Sequence, residues 1–244
     1  MKSFSQVHWS STDAAWHPTY RWNAASGYLV IGLGIAGAAF ERGSPPFTAP
    51  VEEVVAFWTT YQRELLAQSM MFVLSAGAYL WFFGSLRTVL MRAEGSTGTL
   101  STIAFGAGIV SAGLQMILQC FQVALAVAAA GALERGVVAL FGGLGWALSV
   151  IAYVPMGVML GAVAIVSFAY HAFPYWLAWF SLATSLAHFV MTLGLVVKTG
   201  PLVPGQTTTY ALYAIALLWL IATTTVMVFG IHRPPKPDST DGTR

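Results

Sequence analysis

The chain alternates long apolar runs with short polar stretches. Six runs stand out, at roughly 24–40, 66–89, 102–131, 147–170, 174–196 and 209–231. Most reach the ~20 residues that carry an α-helix across ~30 Å of hydrocarbon at 1.5 Å per residue. The first, AASGYLVIGLGIAGAAF, is shorter and rich in Gly and Ala. None shows the two-residue alternation of a barrel strand, so the runs predict helices, which satisfy their backbone groups within the segment. The expected fold is all-α: a polytopic membrane helix bundle of about six transmembrane helices. Its divisions are an N-terminal segment 1–23, a transmembrane domain 24–232, and a Pro-rich, polar tail 233–244 expected to be disordered.

Two stretches between the runs carry their own pattern. In 41–64, GSPP interrupts regular structure, and Thr48 or Pro50 then opens VEEVVAFWTTYQREL. Glu52 and Glu53 fall in the first turn, where the helix dipole favours acids. Val51, Val54, Val55, Trp58 and Leu65 recur at helical spacing. This predicts an external amphipathic helix near 50–65 that continues into the second span. The stretch Leu133–Trp146 is ambiguous, because joining it to the fourth run makes that helix too long for one crossing. It reads as a short interfacial or re-entrant helix broken at Gly142–Gly143, with a seventh span as the alternative.

Composition excludes a water-soluble chain. Hydrophobic residues make up 57% and charged residues 8% of the sequence, against about 25% charged in soluble domains. The net charge of +2 is small and its Lys and Arg are scattered, so nucleic acid is not an expected partner. Cys120 is the one cysteine, which rules out an intrachain disulfide and a Cys-based metal centre. Residues 1–23 lack the basic-then-apolar order of a cleaved signal peptide, so the first run is expected to stay as an anchor. With six spans, Lys2, Arg21, Arg87, Arg92, Arg233, Lys236 and Arg244 share one side. Arg42, Arg63, Arg135 and Lys198 share the other. The larger basic set marks the cytoplasmic face, so both termini are expected inside, in a bacterial cytoplasmic (inner) membrane.

The second span carries a family likeness. VEEVVAFWTTYQRELLAQSMMFVLSAGAYLWFFGSLRTVLMRAEG resembles a recurring pattern in actinobacterial multi-pass integral membrane proteins of unassigned function. In these an acidic amphipathic lead-in enters a span ending in an aromatic–Leu/Gly–x–Leu–Arg motif, here Phe82, Phe83, Gly84, Ser85, Leu86 and Arg87. Pro174–Trp179, PYWLAW, is similar to the entry of those proteins' penultimate span. The likeness covers about half the chain. Its motifs mark membrane boundaries, so it implies architecture and bacterial origin and carries over no activity.

Candidate chemistry lies in two polar stripes. On the third run Ser111, Gln115, Gln119 and Gln122 fall on one helical face, over about 16 Å. Amides facing lipid are left without partners, so this stripe is expected to face the interior. It serves either as interhelical hydrogen-bonding glue or as the lining of a cavity. On the fifth run Ser181, Thr184, Ser185, His188 and Thr192 form a second stripe. His188 lies ~21 Å from Pro174, inside the hydrocarbon zone, where an ionisable group is either functional or a neutral, hydrogen-bonded imidazole. The two stripes are expected to face each other around a shared interior.

Other features are weighed against these. Gly32, Gly34 and Gly37 spell GLGIAG, but no parallel βαβ unit follows, so a small-residue packing face is the better reading than a dinucleotide site. His171 is expected ~20 Å from His188 along the membrane normal, and His8, His17 and His232 lie outside the spans, so no metal site and no haem or other cofactor is expected. Glu64, with Arg63 beside it and Gln68 one turn below, is either an interfacial charge or a buried acid–base group. Tyr153 and Pro155 are expected to add a kink and an inward hydroxyl. Trp81, Trp176 and Trp179 read as interfacial anchors.

Three functions remain open on the sequence alone. The first is a protein of the lipid bilayer that binds a small or lipophilic molecule in its interior, or an accessory subunit with a membrane protein partner or as a homo-oligomer. The second is an isomerase- or cyclase-like membrane enzyme using Glu64 and His188 as catalytic groups, oriented by Gln119 or Gln122. The third is a transporter, disfavoured by the lack of deep charges and of an inverted repeat.

Overall fold

The computed structural model describes residues 18–45, 49–95, 98–128, 135–197 and 200–230. They form eight α-helices: α1 (Pro18–Ala38), α2 (Val51–Thr60), α3 (Gln62–Glu94), α4 (Thr99–Ala128), α5 (Arg135–Ile151), α6 (Tyr153–Tyr170), α7 (Tyr175–Met191) and α8 (Thr207–Thr225). A 3-10 turn, Thr192–Leu195, extends α7, and a π-helical turn, Val226–Gly230, extends α8. The fold is an all-α helical bundle. The tail 233–244 and residues 1–17, with His8, His17 and His232, lie outside the described residues, as do Glu134 and Lys198.

Five helical stretches are long and apolar enough to cross a membrane: Gln62–Glu94, Thr99–Ala128, Gly136–Tyr170, Tyr175–Leu195 and Thr207–Phe229. They coincide with the second to sixth apolar runs. The first run forms α1, which has 21 residues but opens on the polar PTYRWN and stands outside that set.

Helix boundaries follow local chemistry. Pro50 and Pro174, both extended at ψ near 145° (142° and 148°), stand before α2 and α7, since proline disfavours helix upstream of itself. Gly95, at φ 85°, ends α3 in a conformation that costs an L side chain energy. The Glu94 carboxylate then turns back over the next helix. It accepts the Leu100 and Ser101 N–H groups, each at 2.8 Å, and satisfies two orphan donors at the start of α4.

The break expected at Gly142–Gly143 is absent: α5 runs through both glycines to Ile151. The interruption falls at Ala152 instead. Pro155 accounts for it, because Pro155 has no N–H for the Ile151 carbonyl four residues earlier and its ring crowds that oxygen. Ala152 keeps helical angles (φ −63°, ψ −18°) and its N–H bonds to Leu148 O at 2.9 Å. The chain therefore kinks without turning back. α5 and α6 are successive pieces of one helical length, and α5 rests on α4, on α2 and on the turn after α7.

The larger helices close into a ring. α1 packs on α3, α3 on α4, α4 on α6, α6 on α7, α7 on α8, and α8 returns to α1. α3 also reaches α6 across the middle, where Phe82, Phe83 and Leu90 meet Met159, Leu160 and Val163 in one apolar core. At one end of the ring α2 lies over α3 and α4. Phe57 packs there with Leu65 and Ala126, and Gln62 Nε2 donates to Ala126 O at 2.8 Å. This end is called the α2 end below.

Of the GLGIAG glycines only Gly37 makes a close approach, to the Phe72 ring, whereas Gly32 and Gly34 have open space where a Cβ would stand. The second close approach on α1 is at Gly27, which meets Thr224 and Phe82. The packing face of α1 therefore runs through Ala24, Gly27, Val30 and Gly37, all buried, and not through the fingerprint as a unit.

Candidate functional site

No described hydrogen bond joins the two polar stripes. α6 lies between their helices, packing on α4 at one side and on α7 at the other. On α4, Ser111 and Gln119 are buried while Gln115 and Gln122 are half-buried. Gln122 Nε2 donates to Gln68 Oε1 at 2.8 Å and lies 3.3 Å from Leu65 O, both on α3. Gln68 Nε2 in turn donates to Glu41 Oε2 at 3.1 Å. The carboxylate at the end of this amide chain is thus Glu41, just past α1. Glu64 is half-buried in the first turn of α3, and the described contacts do not bring it together with Gln122 or His188.

On α7, Ser181, Thr184, Ser185 and His188 are all buried. Most of their polar atoms are spent locally. The Ser181 and Thr184 hydroxyls donate to the carbonyls of Leu177 and Phe180, each at 2.8 Å. Ser181 Oγ also accepts from Trp219 Nε1 of α8 at 2.7 Å. Ser185 Oγ donates to Gly157 O of α6 at 2.7 Å. This is the hydrogen-bonding glue of helix pairs in an apolar medium.

His188 is different. Its Nδ1 lies 2.7 Å from Thr184 O. A carbonyl can only accept, so Nδ1 carries the proton and Nε2 presents a lone pair. The imidazole meets the Tyr153 ring edge-on, with centroids 6.0 Å apart and planes at 74°. Tyr153 opens α6 at the kink, and its hydroxyl approaches those of Thr209 and Tyr213 on α8. None of these approaches closes into a hydrogen bond: the buried Tyr153 hydroxyl and Thr209 Oγ1 have no partner among the described residues. Val150, Tyr153, Met191 and Leu212 form a small apolar cluster of their own around this point. Three helices therefore converge at the α2 end on two unspent hydroxyls and an imidazole.

Sequence reasoning named His188 and Tyr153 but missed Thr209 and Tyr213. The signal was present in TTTYALY, where Thr209 and Tyr213 stand four apart on one face of the sixth run. Gln119 Oε1 and Ser69 Oγ are also buried without partners. A shallow groove of about 380 Å³ lies toward the opposite end, lined by Asn23, Leu80, Trp81, Gly84, Ser85 and Thr88. Its Ser85 and Thr88 hydroxyls are held by carbonyls of their own helix at 3.1 and 3.0 Å, and none of the stripe residues lines it.

His171 caps α6 at the end away from His188, with φ 58°, and its Nε2 lies 2.7 Å from the Tyr175 hydroxyl. Among the described residues no three His, Cys, Asp or Glu side chains come together as a metal site. No family model matches the chain, and neither does any curated protein or solved structure.

Proposed function

We propose that this chain is a multi-pass membrane protein that binds a small lipophilic molecule where α6, α7 and α8 converge. One observation carries the reading: the Tyr153 and Thr209 hydroxyls are buried without partners beside the His188 imidazole. An unmade hydrogen bond in an apolar interior costs about 1–3 kcal/mol per group, which a polar head group of a bound molecule would recover. Thr223 and Thr224 at the far end of α8 are buried without partners too, so what sets this point apart is that two such hydroxyls from different helices meet beside an imidazole. The enzyme reading stays second, because no described hydrogen bond joins Glu64 or Gln122 to His188, whose ring N bonds within its own helix. We assign the protein to a bacterial cytoplasmic membrane with both termini inside, on its Lys and Arg distribution and its resemblance to actinobacterial membrane proteins.

The test is native mass spectrometry of the full chain extracted in its own lipids, with an absorption spectrum of the same sample. The expected result is a co-purifying small molecule that is lost in Tyr153→Phe and His188→Ala. A bare protein recovered only in complex with another subunit would overturn the reading in favour of an accessory component.

A further inference from the structure

Resting on that reading, we infer that the molecule is a lipophilic alcohol or phenol, and that its hydroxyl enters from the lipid between α7 and α8, past the Tyr213 ring. The polar atoms at the site define the class. Tyr153 and Thr209 each offer an O–H, and His188 Nε2 offers a lone pair because Nδ1 is committed to Thr184 O. A ketone or ether can only accept, and would leave the imidazole unanswered. A hydroxyl accepts from Tyr153 or Thr209 and donates to His188, so it meets both demands through one small uncharged atom, where an amide would bring a second polar atom into the apolar cluster around the site.

Charge excludes the other heads. α6, α7 and α8 contain no Asp, Glu, Lys or Arg. A carboxylate or an ammonium brought between them would be buried without a counter-ion, at a cost of several kcal/mol. Among the described residues the acid that acts on α8 is Glu41, close to Tyr210 and already holding Gln68 and the Gly43 N–H. It repels an anionic head, and its carboxylate is already engaged by those two donors.

The route follows from exposure. Leu193, Val196, Tyr210 and Tyr213 form an outward apolar flank at the α2 end, and Val196 is 76% exposed. Tyr213 itself is half exposed, while its hydroxyl faces that of Tyr153. Its ring therefore stands between the lipid and the buried hydroxyls. A change of its side-chain rotamer uncovers them without any movement of the backbone. Only the head hydroxyl needs to enter. The tail stays on the flank, so the close packing of the bundle is no obstacle.

The experiment uses the purified full chain in lipid nanodiscs and three photoreactive probes. These are a mid-chain diazirine hexadecanol, its methyl ether, and the matching hexadecanoic acid, with labelled peptides mapped by mass spectrometry. The alcohol is expected to label Leu193–Val196 and Tyr210–Leu217 about tenfold more than the ether or the acid, the gain of roughly one net hydrogen bond. Tyr153→Phe, which keeps the ring, should bring alcohol labelling down to the ether level, and Tyr213→Ala should speed it. Equal labelling of those peptides by all three probes, abolished by Tyr213→Trp, would overturn the alcohol assignment and leave the binding reading standing. Labelling by every probe at the level of other lipid-facing segments, unchanged by Tyr153→Phe, would overturn both.

Discussion

Tyr153 and Ser185 each place one hydroxyl in the interior, and their loss should have opposite effects. Ser185 Oγ ties α7 to the Gly157 carbonyl of α6. Removing it in Ser185→Ala should lower stability by about 0.6–1.7 kcal/mol, the range of interhelical side-chain bonds in bilayers. The Tyr153 hydroxyl has no partner among the described residues, so Tyr153→Phe removes an uncompensated desolvation cost while keeping the ring that packs on His188. The ligand-free protein should become as stable as before or more so, by up to about 2 kcal/mol, while ligand retention falls. Thermal unfolding in mild detergent, followed by circular dichroism, reads both variants. A clear loss of stability in ligand-free Tyr153→Phe would show that the hydroxyl does have a partner. Nothing in the sequence separates these two residues. Helical spacing shows which face a side chain is on, and so makes the α7 stripe legible. Whether a hydroxyl on that face finds a carbonyl depends on the crossing of neighbouring helices, which spacing does not encode.

Single positions also decide how the helices sit against one another. Gly108 of α4 faces the buried Phe83 ring, which a Cβ there would approach to 2.8 Å. Gly113 on the same helix has nothing within 4 Å of the equivalent point. In a helix Gly→Ala is worth about 1 kcal/mol in favour of Ala. Gly113→Ala should realise that gain. Gly108→Ala should instead destabilise by about 1–3 kcal/mol, because Phe83 is held on all sides and cannot yield. The same unfolding assay orders the two variants around the parent. Glu94 sets the start of α4, and Glu94→Gln should weaken the charge-assisted bonds to Leu100 and Ser101. Faster hydrogen exchange at those two amides, with no change near the middle of α4, is the expected result. At this scale the apolar runs predicted the helices well, and the amphipathic α2 was legible from its valines and first-turn acids. The break in the fourth run was not. A glycine pair weakens a helix but keeps its N–H groups, so Gly142–Gly143 stays helical. Pro155 removes a donor, and that loss acts one turn upstream, at Ile151.

The ring of helices closes where α8 returns to α1, with Thr224 against Gly27 and the Tyr28 hydroxyl 3.0 Å from Thr225 Oγ1. This closure gathers the chain connections at two ends, and the two ends differ. The α2 end carries Glu41, Glu52, Glu53 and Glu64 beside Arg42, Arg63 and Arg135, whereas the opposite end carries Arg87, Arg92 and Glu94 with exposed Tyr170, Tyr175, Trp176 and Trp179. Basic residues near short connections are retained on the cytoplasmic side, and aromatic rings settle at the head-group level. On the sequence's division of seven Lys and Arg against four, we propose that the α2 end, with the site at α6, α7 and α8, faces the outside and that the outer leaflet supplies the bound molecule. Cysteine accessibility reads this directly. In a Cys120→Ser background, a cysteine at Gly43 or Gly205 should react with a membrane-impermeant maleimide in intact cells, and one at Gly95 only after the membrane is opened. All three glycines have positive φ, so a second set at Glu53 and Arg92, on exposed helical positions at the two ends, guards against misfolding. The reverse pattern in both sets would invert the orientation and move the source of the ligand to the cytoplasmic leaflet. It would leave the geometry of Tyr153, Thr209 and His188 untouched.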